Sequence, residues 1–585
     1  MSEDRAFFGV ERSVTGRRWI GPNIEQDRAA ETLSQEMNLP RQLSQVLARL
    51  GVMSSEVETY LAPSLKKTMP DPMSLRDMEV ASTRLTQAVA SKERIAVFAD
   101  YDVDGAASGA LLIDWFGHFG IKATHYVPDR IDEGYGPNAA AISNLSATHD
   151  LIICVDCGTL SHEALSAASC DVIVLDHHLG GETLPRALAV VNPNRQDEDG
   201  TLSYLCAAGV VFLTLVAANS ALKAMDIEGP NLLEALDIVA LATVADVAPL
   251  VAFNRTLVRQ GLTVMTARGR LGLRALADVA GMQTAPRAYH LGFLLGPRIN
   301  AGGRVGQADL GLRLLATQDP NEAEALALRL NDLNEERRTI EAEVQVAALA
   351  QAHTRDVQMA LTWAAGEGWH PGVVGIVASR MKEATNRPSI VIGFDGDEGK
   401  GSGRSVSGID LGNAIAILTR EGLIRKGGGH KMAAGLSLSR AQLEPAMARL
   451  TTLLSKQGAD KFGPQDVKLD GILSPVAATI ELLEQIETAG PFGTGAPAPR
   501  FAVPFVKVGF ARRVGDTHLQ ISFRDDNGHK IDAIAFKAFE GPLGQTLENH
   551  DGAVFHVAGR IEIDEWQGRR KAKLRLEDVA LAKDS

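Results

Sequence analysis

Between residues 94 and 178, short apolar runs alternate with helical stretches. The runs RIAVFA (Arg94–Ala99), LIICV (Leu151–Val155) and DVIVL (Asp171–Leu175) are each followed by an acidic residue or end beside one, and helical patterns cover Ala106–Phe119 and His162–Ala168. Near-continuous apolar runs predict strands buried on both faces, hence a parallel sheet sandwiched by helices. Ligands of such sheets sit beyond the carboxyl ends of the strands. A second α/β stretch covers about 356–455, with Val357–Trp363, Ser389–Gly393 and several glycine clusters. Between the two, Asp319–Pro320 opens an Ala/Leu/Glu/Arg-rich run to about Ala352. Proline suits a first helical turn, and some 33 residues at ~1.5 Å each make a helix of roughly 50 Å, long enough to connect domains. Five alternating runs from 500 to 583, beginning FAVPFVKVGFARR and ending RKAKLRLEDVAL, predict a small β-barrel. Residues 1–75 read as helical, with a loop around Pro63, Pro70 and Pro72.

The expected fold is therefore α/β: two α/β domains joined by a long helix, plus a C-terminal barrel. The predicted divisions are 1–75, 76–275, 276–355, 356–460 and 461–585. A chain of 585 residues suits several domains. Its 45% apolar and 22% charged residues exclude wholesale disorder. No stretch of ~18 uncharged apolar residues is evident, so no membrane span is expected. The start, MSEDRAFFGVERS, lacks the apolar core of a signal peptide. Four cysteines (Cys154, Cys157, Cys170, Cys206) make no disulfide framework. Cys154 and Cys157 read as ordinary buried thiols, and the expected compartment is the reducing cytoplasm.

The formal charge of −13 argues, alone, against a nucleic-acid binder. Its distribution changes that picture. Residues 81–260 hold 22 acidic and 10 basic side chains, nearly all of the surplus, whereas 500–575 hold 13 basic and 10 acidic. Acidity concentrated in one domain is either solvated or there to bind cations.

Four motifs favour cations. Asp100-Tyr-Asp102-Val-Asp104-Gly105 follows the first strand, Asp156 the second, and Asp176-His177-His178 the third; Asp246 follows the apolar stretch Ile238–Ala242. Each alone is weak, and a lone Asp-Gly turn is usually just solvated. Acids at consecutive strand ends meet on one edge of a parallel sheet, where they repel unless a cation relieves them. Mixed Asp/His ligation suits Mn²⁺, Mg²⁺ or Zn²⁺, and the carboxylate majority favours the first two.

The second α/β stretch carries Gly401-Ser-Gly-Arg-Ser405 and Gly427-Gly-Gly-His430. Glycines let backbone approach a ligand; Arg404 can fork onto phosphate oxygens, with Ser402 as a further donor. In the barrel, Arg512 and Arg513 lie near Phe510, and Arg569, Arg570 and Lys571 near Trp566. Basic residues interleaved with aromatics hold single strands without reading sequence. A five-stranded barrel of this kind matches the oligonucleotide-binding (OB) fold.

These four motifs resemble those of the DHH phosphoesterase superfamily, and within it the chain is similar to the bacterial single-stranded-DNA-specific 5′→3′ exonucleases from about residue 75 onward. The resemblance implies a parallel-sheet DHH domain and a smaller DHHA1 domain. It implies Asp100, Asp102, Asp104, Asp156, His177 and Asp246 as ligands of two divalent cations, Mn²⁺ or Mg²⁺, with Asp156 bridging. It places His178 beside the scissile phosphate. Some relatives carry His where this chain has Phe98, which implies a different ligand set or weaker occupancy for the first ion. The GSGRS and GGH segments are similar to DHHA1 signatures. Gly296–Arg304 (GPRINAGGR) resembles a motif of the exonuclease branch, with Gly303 where Ala is usual, and implies that Arg298 and Arg304 face the cleft. Pro128–Gly136 resembles a further family loop, with Arg130 for a 5′ phosphate and Tyr135 for stacking on a base. Trp369–Gly372 is similar to another DHHA1 element, in which His370 is either functional or only structural.

The resulting expectation is a two-metal exonuclease acting on single-stranded DNA, with Asp156, His178, Arg304 and His430 around the reacting phosphate. The family relation further implies single-stranded-DNA-binding protein and a RecQ-type helicase as partners, a monomer, and no membrane. Two rivals stand beside it: a DHH phosphoesterase acting on short oligonucleotides or small phosphate substrates, and a non-catalytic replication factor. The long connector and the barrel favour a polymer, and every motif retains its acid or histidine.

Overall fold

The computed structural model describes residues 6–130, 133–355, 359–461, 465–566 and 569–582. It divides into two compact units, one spanning Met69–Gly463 and the other formed by the segments before and after it.

The first unit opens with a five-stranded parallel sheet. Its strands, in spatial order, are Thr124–Tyr126, Ile95–Ala99, Leu151–Val155, Asp171–Leu175 and Ala189–Val191. All ten residues of Ile95–Ala99 and Leu151–Val155 are buried, as continuous apolar runs require. The strands end in register. Ala99 pairs with Val155, Val155 with Leu175, and Leu175 with Val191. The next residues, Asp100, Asp156, Asp176 and Asn192, therefore leave the sheet in one row.

Phe98 lies inside the sheet layer, fully buried, and stacks on Tyr126 at 5.2 Å. It is a core residue and offers no ligand atom. Cys154, Cys157 and Cys206 are buried free thiols. The expectation of no long apolar stretch is corrected by the helix Ala207–Ala224, which is apolar and long enough to cross a membrane. Thr214, Asn219 and Ser220 do not break its apolar character. It is 67% buried inside the protein and packs on the helices Met78–Ser91 and Val103–His118.

The connector is a helix of 35 residues, Pro320–Thr354, capped by Asp319, whose carboxylate accepts the Asn321 N–H at 2.9 Å. Leu326, Leu330 and Leu333 on its first half are buried, with spacing that keeps them on one face. Val344 and Ala348 on its second half join Val373, Val374 and Val377 in another core. That core belongs to the second sheet, ordered Lys426–Gly429, Ala433–Ser439, Glu398–Arg404, Ser389–Asp395 and Thr362–Glu367, in which only the last pair is parallel.

In the other unit, the strands Phe501–Val514, His518–Arg524, Lys530–Ala535, Arg569–Leu581 and Val554–Trp566 close into a barrel through pairing of the first with the last. The described residues before Met69 are mainly helical, with the helices Ile24–Met37, Arg41–Arg49, Val57–Leu61 and Leu65–Thr68, and add a short strand, Trp19–Ile20, which pairs in parallel with Val467–Lys468. The helices Ile24–Met37 and Arg41–Arg49 bury Leu33, Leu43, Val46 and Leu47 in the same core as Phe501, Phe523 and Phe555. Trp19 Nε1 donates to the buried Asp578 at 2.9 Å.

Candidate metal centre and phosphate grip

The strand Ile95–Ala99 delivers Asp100, which is buried. The chain then turns directly into the helix Val103–His118. Asp102 caps that helix, its Oδ1 accepting the N–H groups of Asp104 (2.8 Å) and Gly105 (3.2 Å). Gly105 is required: a Cβ there would lie 2.3 Å from the Asp100 carbonyl oxygen. Asp104 points the other way, into the N-terminus of Ala207–Ala224. Its two oxygens accept the N–H groups of Ala207 (2.7 Å) and Ala208 (2.8 Å), where the helix dipole favours a negative charge.

Asp156 adopts a left-handed backbone, φ 60°, a costly conformation for a residue with a Cβ and one that clusters at functional sites. Asp246 comes from the C-terminal end of the helix Leu236–Ala245, not from a strand. His177 links the acids: its Nε2 lies 3.3 Å from Asp156, 3.7 Å from Asp104 and 3.8 Å from Asp246. Three sets of ligand atoms converge, each within 4.8 Å: Asp156 with His177 and His178, Asp104 with His177 and Asp246, and Asp100 with Asp102 and Asp156. Asp156 and His177 are each shared between two sets.

Burial first, then mutual repulsion, pushes the carboxyls of Asp100 and Asp156 well above their ordinary range. Burial likewise raises Asp104, and it pushes Asp246, with repulsion from Asp104 and Asp102, up to about 9. Oδ1 of Asp100 and Oδ1 of Asp156 are buried without a hydrogen bond. Buried acceptors that nothing in the protein satisfies are the donor set a divalent cation requires. The residues present fit two such ions.

Asp176 behaves differently. Burial raises it, but hydrogen bonds from His178 and Thr159 outweigh burial and hold it below the usual carboxylate range. Its Oδ1 accepts the His178 Nδ1–H at 2.8 Å. Burial lowers His178, yet this bond and the surrounding acids win and raise it to about 9. The Tyr135 hydroxyl donates to the Asp156 carbonyl at 2.8 Å and lies 3.0 Å from His178 Nδ1, while the residue stays 53% exposed. Two residues escaped the sequence reading. Asn192 donates to the His178 carbonyl at 2.8 Å, and Asn194 to the His177 carbonyl at 2.6 Å. The signal was available: AVVN is a fourth apolar run ending in a polar residue.

Three of the expected phosphate contacts gather beside this centre. Arg130 lies over the Tyr101 ring at 5.1 Å. Arg304 donates to the Gly372 carbonyl at 3.0 Å, and Arg404 to the Ser402 hydroxyl and the Gly403 carbonyl, both at 2.9 Å. Burial, then repulsion from Arg130, lowers Arg404 and brings Arg304 down to about 10. Part-buried cations that repel one another favour an anion between them.

Other expected contacts are placed elsewhere. Arg298 is turned to the connector, donating to Asn331 (3.1 Å) and the Leu294 carbonyl (2.7 Å). His430 sits in the exposed turn of the strand pair Lys426–Gly429 and Ala433–Ser439, its N–H donating to the Ala433 carbonyl at 2.8 Å. His370 caps the helix Pro371–Thr385, accepting the Gly372 N–H at 3.0 Å. On the barrel, Arg513 forks onto Glu548 (2.6 and 2.8 Å) and lies over Phe539. Arg570 is bound to Glu484 at 2.8 Å. Arg512, Arg569, Lys571 and Phe510 are exposed. The side chain of Trp566 lies outside the described residues.

Three domain families match the chain: the DHH family N-terminal domain over 94–243, the DHHA1 domain over 350–456 and the RecJ OB domain over 469–578. Single-stranded-DNA-specific exonuclease RecJ of Escherichia coli strain K12 is 36% identical over 94% of this chain and 97% of its own length. The chain belongs to the RecJ family. The Dickeya dadantii RecJ is likewise 36% identical, over 95% of this chain and 99% of its own. The crystal structure of Thermus thermophilus RecJ in complex with Mn²⁺ superimposes with a TM-score of 0.79 at 30% identity, covering 96% of this chain and 79% of that one. A RecJ structure from the same organism holds Mg²⁺.

Proposed function

We propose that this chain hydrolyses single-stranded DNA from its 5′ end, releasing 5′-mononucleotides, with Mn²⁺ or Mg²⁺ as cofactor. The reading is carried by one juxtaposition: the converging carboxylates at a sheet edge, with Oδ1 of Asp100 and of Asp156 buried and unsatisfied, flanked by Arg130, Arg304 and Arg404. Asp100, Asp102, Asp104, Asp156, His177 and Asp246 would hold two divalent ions. Such ions supply a nucleophilic water at neutral pH and offset charge on a phosphoryl group. Asp104 is fixed by two helix N–H groups, and Asp156 by its strand end, so the ligands need little reordering. His178, held through its Nδ1–H by Asp176, would offer an N–H to the scissile phosphate. Arg304 neutralises charge on the same group.

Polarity requires something that reads an end. Arg130, Arg404 and Ser402 are the proposed grip for a terminal 5′ phosphate, which carries more charge than an internal diester. Tyr135, tethered by its hydroxyl with its ring exposed, is the proposed stacking face for the terminal base. The exposed barrel residues Phe510, Arg512, Arg569 and Lys571 are proposed to hold the strand further along. The family relation supports single-stranded-DNA-binding protein and a RecQ-type helicase as partners, and a cytoplasmic monomer as the working form.

The test is kcat/KM for 5′-phosphorylated and 5′-hydroxyl strands. The phosphorylated strand is expected to be cut faster, and Arg404→Ala to lose most of that preference, at roughly 1.5–3 kcal/mol for a charge-assisted contact. A mutant that slows both strands equally would move the end-reading role away from Arg404.

A further inference from the structure

The turn that carries Asp100, Asp102 and Asp104 is held partly from outside. The first N–H groups of a helix have no partner within it. Here Asp102 Oδ1 takes those of Asp104 and Gly105, and the Asp102 carbonyl takes that of Ala106 at 2.9 Å. The remaining one, Val103 N–H, donates to Asn300 Oδ1 at 3.1 Å, from 197 residues further along the chain. Val103 is 1% exposed, so water is a poor substitute.

Asn300 sits on the helix Gly296–Val305, which touches this region repeatedly. Its first residue, Gly296, lies against Ala245, just before Asp246: a Cβ there would be 3.3 Å from that of Ala245. Gly303 lies against Tyr101, where a Cβ would be 2.7 Å from the Tyr101 carbonyl oxygen. Arg304 reaches the Gly372 carbonyl at the start of the helix Pro371–Thr385. One short helix thus packs against the turn after the first strand, the segment leading to Asp246, and the second α/β domain.

We propose that Asn300 is a positioning residue for the metal centre, whose side-chain oxygen, by holding Val103 N–H, fixes the turn on which Asp100, Asp102 and Asp104 converge. It touches neither substrate nor ion; it acts through the backbone of the ligand segment. The inference rests on reading those carboxylates as metal ligands. Without the Asn300 oxygen, the orphaned Val103 N–H competes for the Asp102 carboxylate, which already accepts two N–H groups. Oxygens meant for an ion are then drawn into the helix cap.

Mn²⁺ binding to the full chain, followed by calorimetry and by the electron paramagnetic resonance of unbound Mn²⁺, tests this without any nuclease assay. Asn300→Leu keeps the volume and removes the acceptor; Asn300→Asp keeps the acceptor. The expected result is a loss of roughly 10–100-fold in affinity for one of two ions in Asn300→Leu, with an unchanged far-UV spectrum, and binding within about threefold of wild type in Asn300→Asp. Asn300→Ser, too short to reach, provides a milder loss variant should the leucine protein fail to fold, and is expected to weaken the same ion. Wild-type affinity in either loss variant would overturn the proposal, as would an aspartate variant as weak as the leucine one. A wild-type protein that takes up no Mn²⁺ would overturn the metal reading as well, so the two failures are distinguishable.

Discussion

Nε2 of His177 lies 3.3 Å from Oδ1 of Asp156, a buried oxygen that no hydrogen bond satisfies. Both residues belong to two of the converging ligand sets, so in the proposed site Asp156 would be the carboxylate that serves both ions. Replacing it has opposite effects on the metal-free and metal-loaded protein. Asp156→Asn removes one of several mutually repelling carboxyls and is expected to raise the melting temperature without metal by ~1–3 °C. It is also expected to weaken Mn²⁺ binding by at least ~100-fold, more than loss of an indirect contact would. Melting curves with EDTA and with Mn²⁺ check both; a variant that is less stable without metal would contradict the repulsion.

Burial, together with this repulsion, sets a pH dependence. Asp100, Asp104, Asp156 and Asp246 have raised folded-state values, Asp246 up to about 9. The metal-free folded protein therefore binds more protons than the unfolded chain above about pH 4, and its stability falls as pH rises toward those values. An ion that needs carboxylates displaces the protons. Mn²⁺ affinity is expected to climb between pH 6 and 8 by up to about tenfold per unit for each proton released. Calorimetry in two buffers of different ionisation enthalpy counts those protons, and zero release would contradict the raised values.

Deleting the barrel would uncover Leu43, Val46 and Leu47, which share its core, so point changes are the cleaner probe of strand binding. Phe510→Ala with Arg512→Ala is expected to weaken binding of a single-stranded 30-mer by about 1–3 kcal/mol for the lost stacking. It is also expected to flatten the salt dependence by roughly 0.7 for one lost phosphate contact. Arg513→Ala should leave that slope unchanged, because its guanidinium is already bound to Glu548. Anisotropy titrations across a salt series separate the two.

Much of the architecture was legible because it rests on local pattern. Five-residue apolar runs followed by acids place Asp100, Asp156 and Asp176 at strand ends, and the pairing of parallel strands then brings them together without further information. The connector was legible from Pro320 and its composition. What was not legible depends on distant partners. Whether an arginine is available turns on what it meets: Arg298 meets Asn331, Arg513 meets Glu548 and Arg570 meets Glu484, and none of these pairs has a signature in sequence. His430 shares a glycine-rich segment with no sign of which way its turn faces. The strand Trp19–Ile20 is two residues long, too short for any period to reveal. Asn300 read as one letter of a motif around Arg304, because nothing in spacing links it to Val103.

The most direct test of the two-metal, 5′-end reading is digestion of a single-stranded oligonucleotide labelled at either end, by wild type and by Asp156→Ala, with Mn²⁺ or with EDTA. Wild type with Mn²⁺ should release the 5′ label first, as a mononucleotide, and leave a paired end largely intact. EDTA and Asp156→Ala should each lower the rate by well over tenfold, more than ~1.4 kcal/mol in the barrier, while strand binding persists. Release of the 3′ label first, or undiminished cleavage by Asp156→Ala, would contradict it.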